Sequence, residues 1–157
     1  ALFACTGITY NHESPRRGHA FVTRKVATEV ARIAAGWTNV LELGNLEAKR
    51  DWGYAPDYVE AMWLMLQNPR GPHDYVIATG KLHTVRELLQ VAFAAAGLAY
   101  EPYVRVNEGF FLLSETVPLV GNAAKILRDL AWQPQISFPQ MIGDMVRQEL
   151  SVVKVSR

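Results

Sequence analysis

Short apolar runs alternate along this chain with segments of helical periodicity, and this alternation most strongly limits the fold. Leu2–Tyr10 is apolar and β-prone, which predicts a strand buried on both faces. A helix is predicted over Phe21–Ala35, followed by a strand over Val40–Leu43. A second helix, Asp57–Gln67, is apolar nearly all round and is therefore expected to be buried. Another strand follows at Asp74–Thr79, and strand–helix alternation of this kind is typical of α/β domains.

Capping residues mark the later helices. Thr84, with Glu87 three residues on, predicts a capping box at a helix start. Asn122 and Ser137 are predicted to cap two further helices. The tail after Ser151 is expected to be loosely held.

Composition bounds the class of protein and its partners. The chain has 157 residues, half of them hydrophobic and a fifth charged, as in ordinary globular domains. Because 16 Lys and Arg oppose 15 Asp and Glu, the net charge of +1 favours neither nucleic acid nor an anionic membrane as partner. The single cysteine, Cys5, is expected to be buried and suits a reducing compartment. With no apolar run of about 20 residues and no visible signal peptide, we expect a cytoplasmic protein.

The segment Asn11–Gly18 is richest in reactive groups. It follows the first predicted strand, and open α/β sheets bind their ligands at the carboxyl ends of strands. It contains an amide, an imidazole, a carboxylate, a hydroxyl and two guanidinium groups. Arginine is well suited to bidentate phosphate contacts. Either this segment binds an anion or it is a solvated loop with ordinary surface arginines.

Two other basic clusters leave the same choice open. Lys49–Gly53 lies in a predicted loop, Leu46–Pro56, and places Trp52 beside Arg50. There the indole either stacks on a base or sugar or packs under the loop. Thr23–Lys25 lies near a predicted helix start, where basic side chains and the positive helix end either bind an anion or are simply solvated.

Several motifs are absent from the sequence. There is no G-x-G-x-x-G fingerprint, no tyrosine followed four residues later by lysine, and no G-x-S-x-G elbow. The four histidines lie far apart without ligand spacing, so no metal site is predicted. The residues alone therefore predict an α/β domain, and they leave open whether it binds an anionic ligand.

Several blocks of sequence nevertheless resemble one family. These blocks are Asn11–Gly18, Phe21–Lys25, Gly44–Gly53, Asp57–Gln67 and Val76–Gly80. They resemble the GDP-mannose 4,6-dehydratases, a branch of the extended short-chain dehydrogenases, from about residue 2 to about residue 150. The resemblance implies that NADP takes hydride from C4 of GDP-mannose, water leaves across C5 and C6, and the hydride returns at C6. The implied product is GDP-4-keto-6-deoxymannose, made in deoxy-sugar biosynthesis.

The same resemblance implies binding roles but no catalytic residue. His12 and Arg17 would contact the cofactor, and Arg17 would also lie near a subunit interface. Lys25 and Arg50 would suit the diphosphate of the sugar nucleotide. The residues implied to bind the GDP-sugar are Asn11, Val22, Lys25, Arg50 and Glu115.

Two departures from the family pattern affect these roles. The family's Phe-Arg-Pro-x-Glu segment is replaced by Phe111–Glu115, so that Leu112 occupies the place of a diphosphate-binding arginine. Losing one charge-assisted hydrogen bond costs about 1.5–3 kcal/mol, or one to two orders of magnitude in affinity. The family often has an acidic residue two positions after this glutamate, where the present chain has Val117.

The resemblance also predicts the place of this chain within the family fold. It implies an incomplete domain over 1–157, the C-terminal part of an NAD(P)-binding Rossmann-type dehydrogenase. Residues 1–20 and 74–97 are expected to belong to the Rossmann sheet, and residues 21–73 and 98–150 mainly to the substrate-binding subdomain. The first residue is Ala and a strand follows at once, so we expect the true start to lie elsewhere.

On this interpretation the isolated chain binds GDP-mannose weakly and catalyses nothing, while the complete enzyme is a homo-oligomer, either a dimer or a tetramer. Two alternatives remain. One is a GDP-4-keto-6-deoxymannose reductase or sugar epimerase on the same fold. The other is a non-catalytic binding or assembly paralogue, which Leu112 favours.

Overall fold

A computed structural model of the chain describes residues 2–111 and 117–155, and its architecture is mixed α/β. The helices are Val22–Ala34 (α1), Ala55–Leu66 (α2), Val85–Ala95 (α3), Ala124–Leu130 (α4) and Phe138–Val155 (α5), with a 3₁₀ turn at Glu108–Phe110. The strands are Gly7–Thr9 (β1), Asn11–Glu13 (β2), Leu41–Leu43 (β3), Lys49–Arg50 (β4), Trp52–Tyr54 (β5), Tyr75–Ile77 (β6), His83–Thr84 (β7) and Val104–Val106 (β8).

The strands of the described part form four pairs. Three pairs are parallel, namely β1 with β6, β2 with β5 and β3 with β8, whereas β4 and β7 are antiparallel. In the first pair Gly7 lies opposite Tyr75 and Thr9 opposite Ile77. At least one helix lies between the two members of each parallel pair, as the predicted alternation requires.

The larger core lies where α1, α3 and α5 meet. Val30, Leu88, Phe93 and Ile142 are at most 1% exposed and pack in one cluster. A buried ion pair also joins α1 to α5, since Arg24 Nη2 lies 2.6 Å from Glu149 Oε1. These contacts hold the helix that follows the predicted anion-binding segment.

The smaller core covers one face of the β1–β6 pair. Tyr58 and Met65 of α2 pack there with Ile77, Ile126 and Trp132, all at most 3% exposed. The indole of Trp132 donates from Nε1 to the carbonyl of Asp57 at 2.9 Å, which ties the segment after α4 to α2.

A single buried carboxylate connects three distant segments. Asp51, which is fully buried between β4 and β5, accepts hydrogen bonds from the backbone N–H groups of Thr79 and Gly80 at 2.9 Å and of Gly121 at 3.1 Å. The Thr79 hydroxyl donates to it as well. Because a buried carboxylate needs hydrogen-bond donors, Asp51 holds the end of β6 and the segment before α4 against β5.

The capping predictions for Thr84 and Ser137 are confirmed, whereas the one for Asn122 is wrong, because the N-cap of α4 is Ala123, which has no side-chain cap. The Thr84 hydroxyl accepts from the Glu87 N–H at 3.0 Å, and the Glu87 carboxylate accepts from the Thr84 N–H at 3.0 Å. Asn122 Oδ1 accepts from the N–H of Ala124 at 3.0 Å. Ser137 shares reciprocal bonds with Gln140 at the start of α5.

Three burial predictions are wrong. Only Gly7–Thr9 of the first segment forms a strand, and Ile8 is 53% exposed. Helix α2 exposes Trp63 and its apolar neighbours, because β1 and β6 cover only one side of it. Cys5 is likewise half-buried rather than buried.

Three local predictions also need correction. Asn11–Gly18 begins as a strand, since β2 pairs with β5 rather than leading straight into a loop. The stretch predicted as a loop between Leu46 and Pro56 contains β4 and β5. The tail after Ser151 continues as helix to Val155, because Val153 is buried and anchors it. None of the helices in the described part combines the length and apolarity that crossing a bilayer would require.

Replacing Asp51 with alanine should lower the free energy of unfolding by more than about 3 kcal/mol, because three backbone N–H groups, among them that of the buried Gly121, lose a charged acceptor. Urea denaturation would measure the loss. Asp74→Ala is a suitable control, since its carboxylate accepts one exposed bond from Thr6 and should cost about 1 kcal/mol or less. Equal losses in the two variants would contradict the role assigned to Asp51.

Candidate functional site

Two cavities adjoin β2 and share part of their walls. The first, called here the Val22 cavity, has a volume of about 330 Å³ and is lined by Asn11, Val22, Arg50 and neighbouring residues. The second, the His12 cavity, has a volume of about 630 Å³ and is lined by His12 and Arg17 among others. Asn11 and Arg50 line both. The two cavities are therefore neighbours across this pair of side chains.

The structure brings together most of the side chains that the sequence predicts to bind ligands. Asn11, Val22 and Arg50 line the Val22 cavity, as expected for a shared ligand. Lys25 lies beside that cavity rather than in its lining, because its Nζ donates to the carbonyl of Glu42 at 2.7 Å. Its ammonium also lies 5.1 Å from the ring centroid of Phe110, which does line the cavity.

The segment that contains Glu115 and Leu112 lies outside the described residues. The predicted role of Glu115, and the effect of Leu112 in place of an arginine, therefore stay predictions.

Local contacts orient the two residues predicted to bind cofactor. His12 Nδ1 lies 2.9 Å from the carbonyl of Tyr10, which can only accept, so Nδ1 carries the hydrogen of this bond. The imidazole stacks on the ring of Tyr58 with a centroid separation of 5.3 Å. The Arg17 guanidinium lies 3.5 Å over the ring of Phe21. An aromatic ring therefore supports each of these side chains, Tyr58 for His12 and Phe21 for Arg17.

Glu13 is a buried carboxylate that the sequence-based assignments left without a role. It is 2% exposed, accepts a hydrogen bond from the Thr23 hydroxyl and lies 3.3 Å from Arg17 Nε. Burial raises the pKa of Glu13, although Thr23, Arg17 and His12 act in the opposite direction. Glu13 and Arg17 lie four positions apart but not on a helix, so this spacing does not predict their ion pair.

Gly53 is required by the support beneath His12. A Cβ atom at Gly53 would lie 2.4 Å from Cε2 of Tyr58, closer than real contacts allow. The Tyr58 hydroxyl is buried, and within the described residues it has no hydrogen-bond partner. Burial, with the neighbouring carboxylates, raises the pKa of Tyr58 well above its usual range. Tyr58 is therefore a neutral ring fixed between Gly53 and His12.

The other basic clusters are mostly engaged in packing. Trp52 is 3% exposed and stacks on Phe138 at 5.8 Å, which supports the interpretation that it packs under the loop. Near the start of α1, Thr23 binds Glu13, and Arg24 pairs with Glu149. Of the residues in these clusters, Arg50 alone lines both the Val22 cavity and the His12 cavity.

A third cavity lies away from β2, between the end of β6 and the segment before α5. Its volume is about 840 Å³, and its lining includes Thr79, His83, Trp132 and Phe138. The His83 ring stacks on Phe138 at 4.0 Å, and its Nδ1 lies 3.1 Å from a Glu87 carboxylate oxygen. Across residues 2–111 and 117–155, no group of three His, Cys, Asp or Glu side chains is placed to hold a metal ion.

Comparison with known proteins identifies the family. The family model described as GDP-mannose 4,6 dehydratase matches residues 1–145. This chain belongs to the GDP-mannose 4,6-dehydratase family. It is 50% identical over 153 residues to GDP-mannose 4,6 dehydratase 2 of Arabidopsis thaliana, covering 98% of this chain and 41% of that relative. It is 41% identical over 172 residues to GDP-mannose 4,6 dehydratase of Homo sapiens, covering 99% and 46% respectively.

This dehydratase-family chain thus spans less than half the length of these relatives. Solved structures show the same fold. An RMD structure from Pseudomonas aeruginosa complexed with NADPH superposes with a TM-score of 0.84 at 22% identity, covering 93% of this chain and 48% of that one. A UDP-glucose 4-epimerase from Thermus thermophilus in complex with NAD gives a TM-score of 0.69 at 28% identity, covering 91% and 45%. The predicted α/β fold class of the extended short-chain dehydrogenases is confirmed.

Substituting Gly53 with alanine should displace the Tyr58 ring and lower the free energy of unfolding by about 1–3 kcal/mol. The His12 ring signals in an NMR spectrum should shift with it, because the stacked support moves. Gly18→Ala is the matched control, since an added Cβ there meets nothing closer than Phe21 ring carbons at 3.6 Å. Unchanged His12 signals in the Gly53 variant would rule out the proposed support.

The raised pKa of Glu13 makes stability depend on pH. The native state holds this proton more tightly than the unfolded chain, so the stabilisation is complete below the ordinary value of 4.5 and is lost as pH rises through the folded pKa. Relative to Glu13→Gln, the unmodified chain should therefore lose stability from about pH 4.5 upward. Urea unfolding at a series of pH values measures this difference. The exposed-site control Glu101→Gln should follow the unmodified chain.

Proposed function

We propose that this chain is the GDP-sugar-binding part of an NADP-dependent GDP-mannose 4,6-dehydratase. The observation that carries the proposal is the pair of adjoining cavities, which share Asn11 and Arg50 in a chain of this family. Two neighbouring ligand cavities are what a reaction between a sugar nucleotide and a nicotinamide cofactor requires, because the reacting atoms must meet.

The Val22 cavity is assigned to the GDP-sugar. It lies at the amino end of α1, whose 13 residues direct a positive helix end toward it. The Arg50 guanidinium in the wall can pair with phosphate oxygens, and Asn11 offers an amide for neutral hydroxyl groups. Lys25 adds a further positive charge beside Phe110. A volume of about 330 Å³ holds part of such a ligand, leaving the rest at the mouth.

The His12 cavity is assigned to NADP. Its wall combines the imidazole of His12 with the guanidinium groups of Arg17 and Arg50, a set that fits an anionic dinucleotide. When bound, the nicotinamide would accept and return the hydride. The contribution of this chain is placement: Tyr58 and Phe21 hold the two cofactor-contacting side chains, and Arg50 faces both ligands.

No residue of this chain is assigned a catalytic role. Because the resemblance implies no catalytic residue in this sequence, we propose that the isolated chain forms no product. We propose that the complete enzyme is a cytoplasmic homo-oligomer, a dimer or tetramer, whose other residues supply the catalytic groups.

A second candidate is a non-catalytic binding or assembly paralogue. Leu112, in place of the family's arginine, is the observation that favours it. A reductase or epimerase of the same fold is less well supported, because the family model that matches is that of the dehydratases.

Titration calorimetry and NMR with GDP-mannose test the main proposal. The 157-residue chain should bind GDP-mannose weakly, and Arg50→Ala should weaken binding at least about tenfold by removing a charge-assisted contact. Arg128→Ala is the matched control, because this exposed arginine lies on α4, away from both cavities. Incubation with NADP should give no 4-keto sugar. Product formation, or equal effects of both variants, would contradict the proposal.

Leu112→Arg separates the two candidates. If the chain is the sugar-binding part of a dehydratase, restoring the arginine should strengthen GDP-mannose binding about ten- to a hundredfold. A chain that binds no GDP-mannose with either residue would instead support the assembly paralogue.

A further inference from the structure

The buried carboxylate of Glu13 stands between the two cavities beside β2. Glu13 lines the Val22 cavity, whereas Arg17, with which it forms an ion pair, lines the His12 cavity. Glu13 is 2% exposed, and a carboxylate so buried needs donors around it. The ion pair therefore joins a residue of one cavity wall to a residue of the other.

A tight turn brings the chain back from Glu13 to Arg17. The N–H of Arg17 donates to the Ser14 carbonyl at 2.9 Å, and the N–H of Arg16 donates to the Ser14 hydroxyl at 3.1 Å. Pro15 follows Ser14, at the position where proline favours such turns. The turn fixes the backbone of Arg17, but it leaves the long side chain many rotamers.

Two contacts restrict the side chain of Arg17. Its guanidinium lies 3.5 Å over the Phe21 ring, which fixes the plane of the group but not its direction within that plane. Its Nε is buried, lies 3.3 Å from Glu13 Oε2 and makes no aligned hydrogen bond within the described residues, so Glu13 acts on it by charge. Because Nε and the Nη groups lie on different sides of the planar guanidinium, this pairing leaves the Nη groups as the donors for a ligand.

The carboxylate that directs Arg17 is itself fixed. The hydroxyl of Thr23, in the first turn of α1, donates to the same oxygen, Glu13 Oε2. Thr23 is 1% exposed, and the backbone of Glu13 is paired with Tyr54 in the β2–β5 ladder. Strand and helix therefore hold Glu13 in place before any ligand is present.

We propose that Glu13 is a positioning residue, which holds the Arg17 guanidinium with its Nη groups toward the phosphates of a dinucleotide in the His12 cavity. Glu13 acts through Arg17 and is assigned no contact with the cofactor. A side chain already held in its binding rotamer spares the ligand the cost of ordering it. The proposal rests on the assignment of the His12 cavity to NADP made above.

Two substitutions separate positioning from simple charge. Glu13→Gln removes a negative charge, whereas Thr23→Val keeps the charge and removes only the hydroxyl that holds the carboxylate. NADP is titrated into the isotope-labelled chain at fixed pH and salt, and NMR gives the dissociation constant. Positioning predicts that each variant raises this constant about three- to tenfold. If Glu13 acted only by repelling phosphate, Glu13→Gln would lower the constant and Thr23→Val would leave it unchanged.

Helix α1 provides a matched control. The Thr28 hydroxyl donates to Glu149 Oε2 at 3.1 Å, and Arg24 Nη2 lies 2.6 Å from Glu149 Oε1, which repeats the threonine–glutamate–arginine arrangement. None of these three described residues lines the Val22 cavity or the His12 cavity. Thr28→Val and Glu149→Gln should therefore leave NADP binding unchanged, although they remove comparable contacts.

A second measurement needs no ligand. Because Arg17 Nε is buried, the rate at which its hydrogen exchanges with water reports how firmly the side chain is held. This rate should rise in Glu13→Gln and in Thr23→Val and stay the same in Thr28→Val. Circular dichroism checks that each variant is folded. If Glu13→Gln does not fold, Thr23→Val, which keeps the carboxylate, provides the comparison.

Two results would overturn the proposal. One is an Arg17 exchange rate that neither test variant changes. The other is NADP binding that Glu13→Gln strengthens or leaves unchanged, or that the control variants weaken as much. If the unmodified chain bound no NADP, the cofactor assignment would be wrong, and the exchange rates would still decide whether Glu13 positions Arg17.

Discussion

The buried carboxylate of Asp51 is the interaction on which the described structure most depends. It gathers N–H groups from the end of β6 and from the segment before α4, far apart in sequence, against β5. A buried charge is stable only when donors surround it, so these segments must stay together. Its neighbour Arg50 lines both cavities, and Asn11 donates to the Asp51 carbonyl at 3.3 Å. Two residues that line the cavities, Asn11 and Arg50, are therefore in direct contact with Asp51 or adjacent to it in the chain.

Local sequence signals predicted the helices well, because their causes are local. The capping box at Thr84 and the cap at Ser137 each involve residues three positions apart. Strand burial was predicted poorly. The composition of Leu2–Tyr10 is typical of a buried strand, yet its exposure depends on which other strands lie beside β1. That information is not contained in the apolar pattern of the segment itself.

The site shows the same division between local and long-range causes. Resemblance to one family selected Asn11, His12 and Arg17, which the structure places at the two cavities. It did not identify the supports of these residues. Tyr58 and Gly53 meet His12 only when α2, β5 and β2 come together, and no spacing in the sequence indicates that contact. Helix α2 was likewise predicted to be buried, yet Trp63 is 59% exposed, because apolar composition alone does not determine burial.

The shared wall of Asn11 and Arg50 has a thermodynamic consequence. Ligands on its two sides would contact the same guanidinium, so the position that Arg50 takes for one ligand alters the surface offered to the other. Any such effect on binding free energy is reciprocal. If the first ligand strengthens or weakens the binding of the second, the second changes the binding free energy of the first by the same amount. On the ligand assignments proposed above, the shared Arg50 would therefore couple binding in the two cavities.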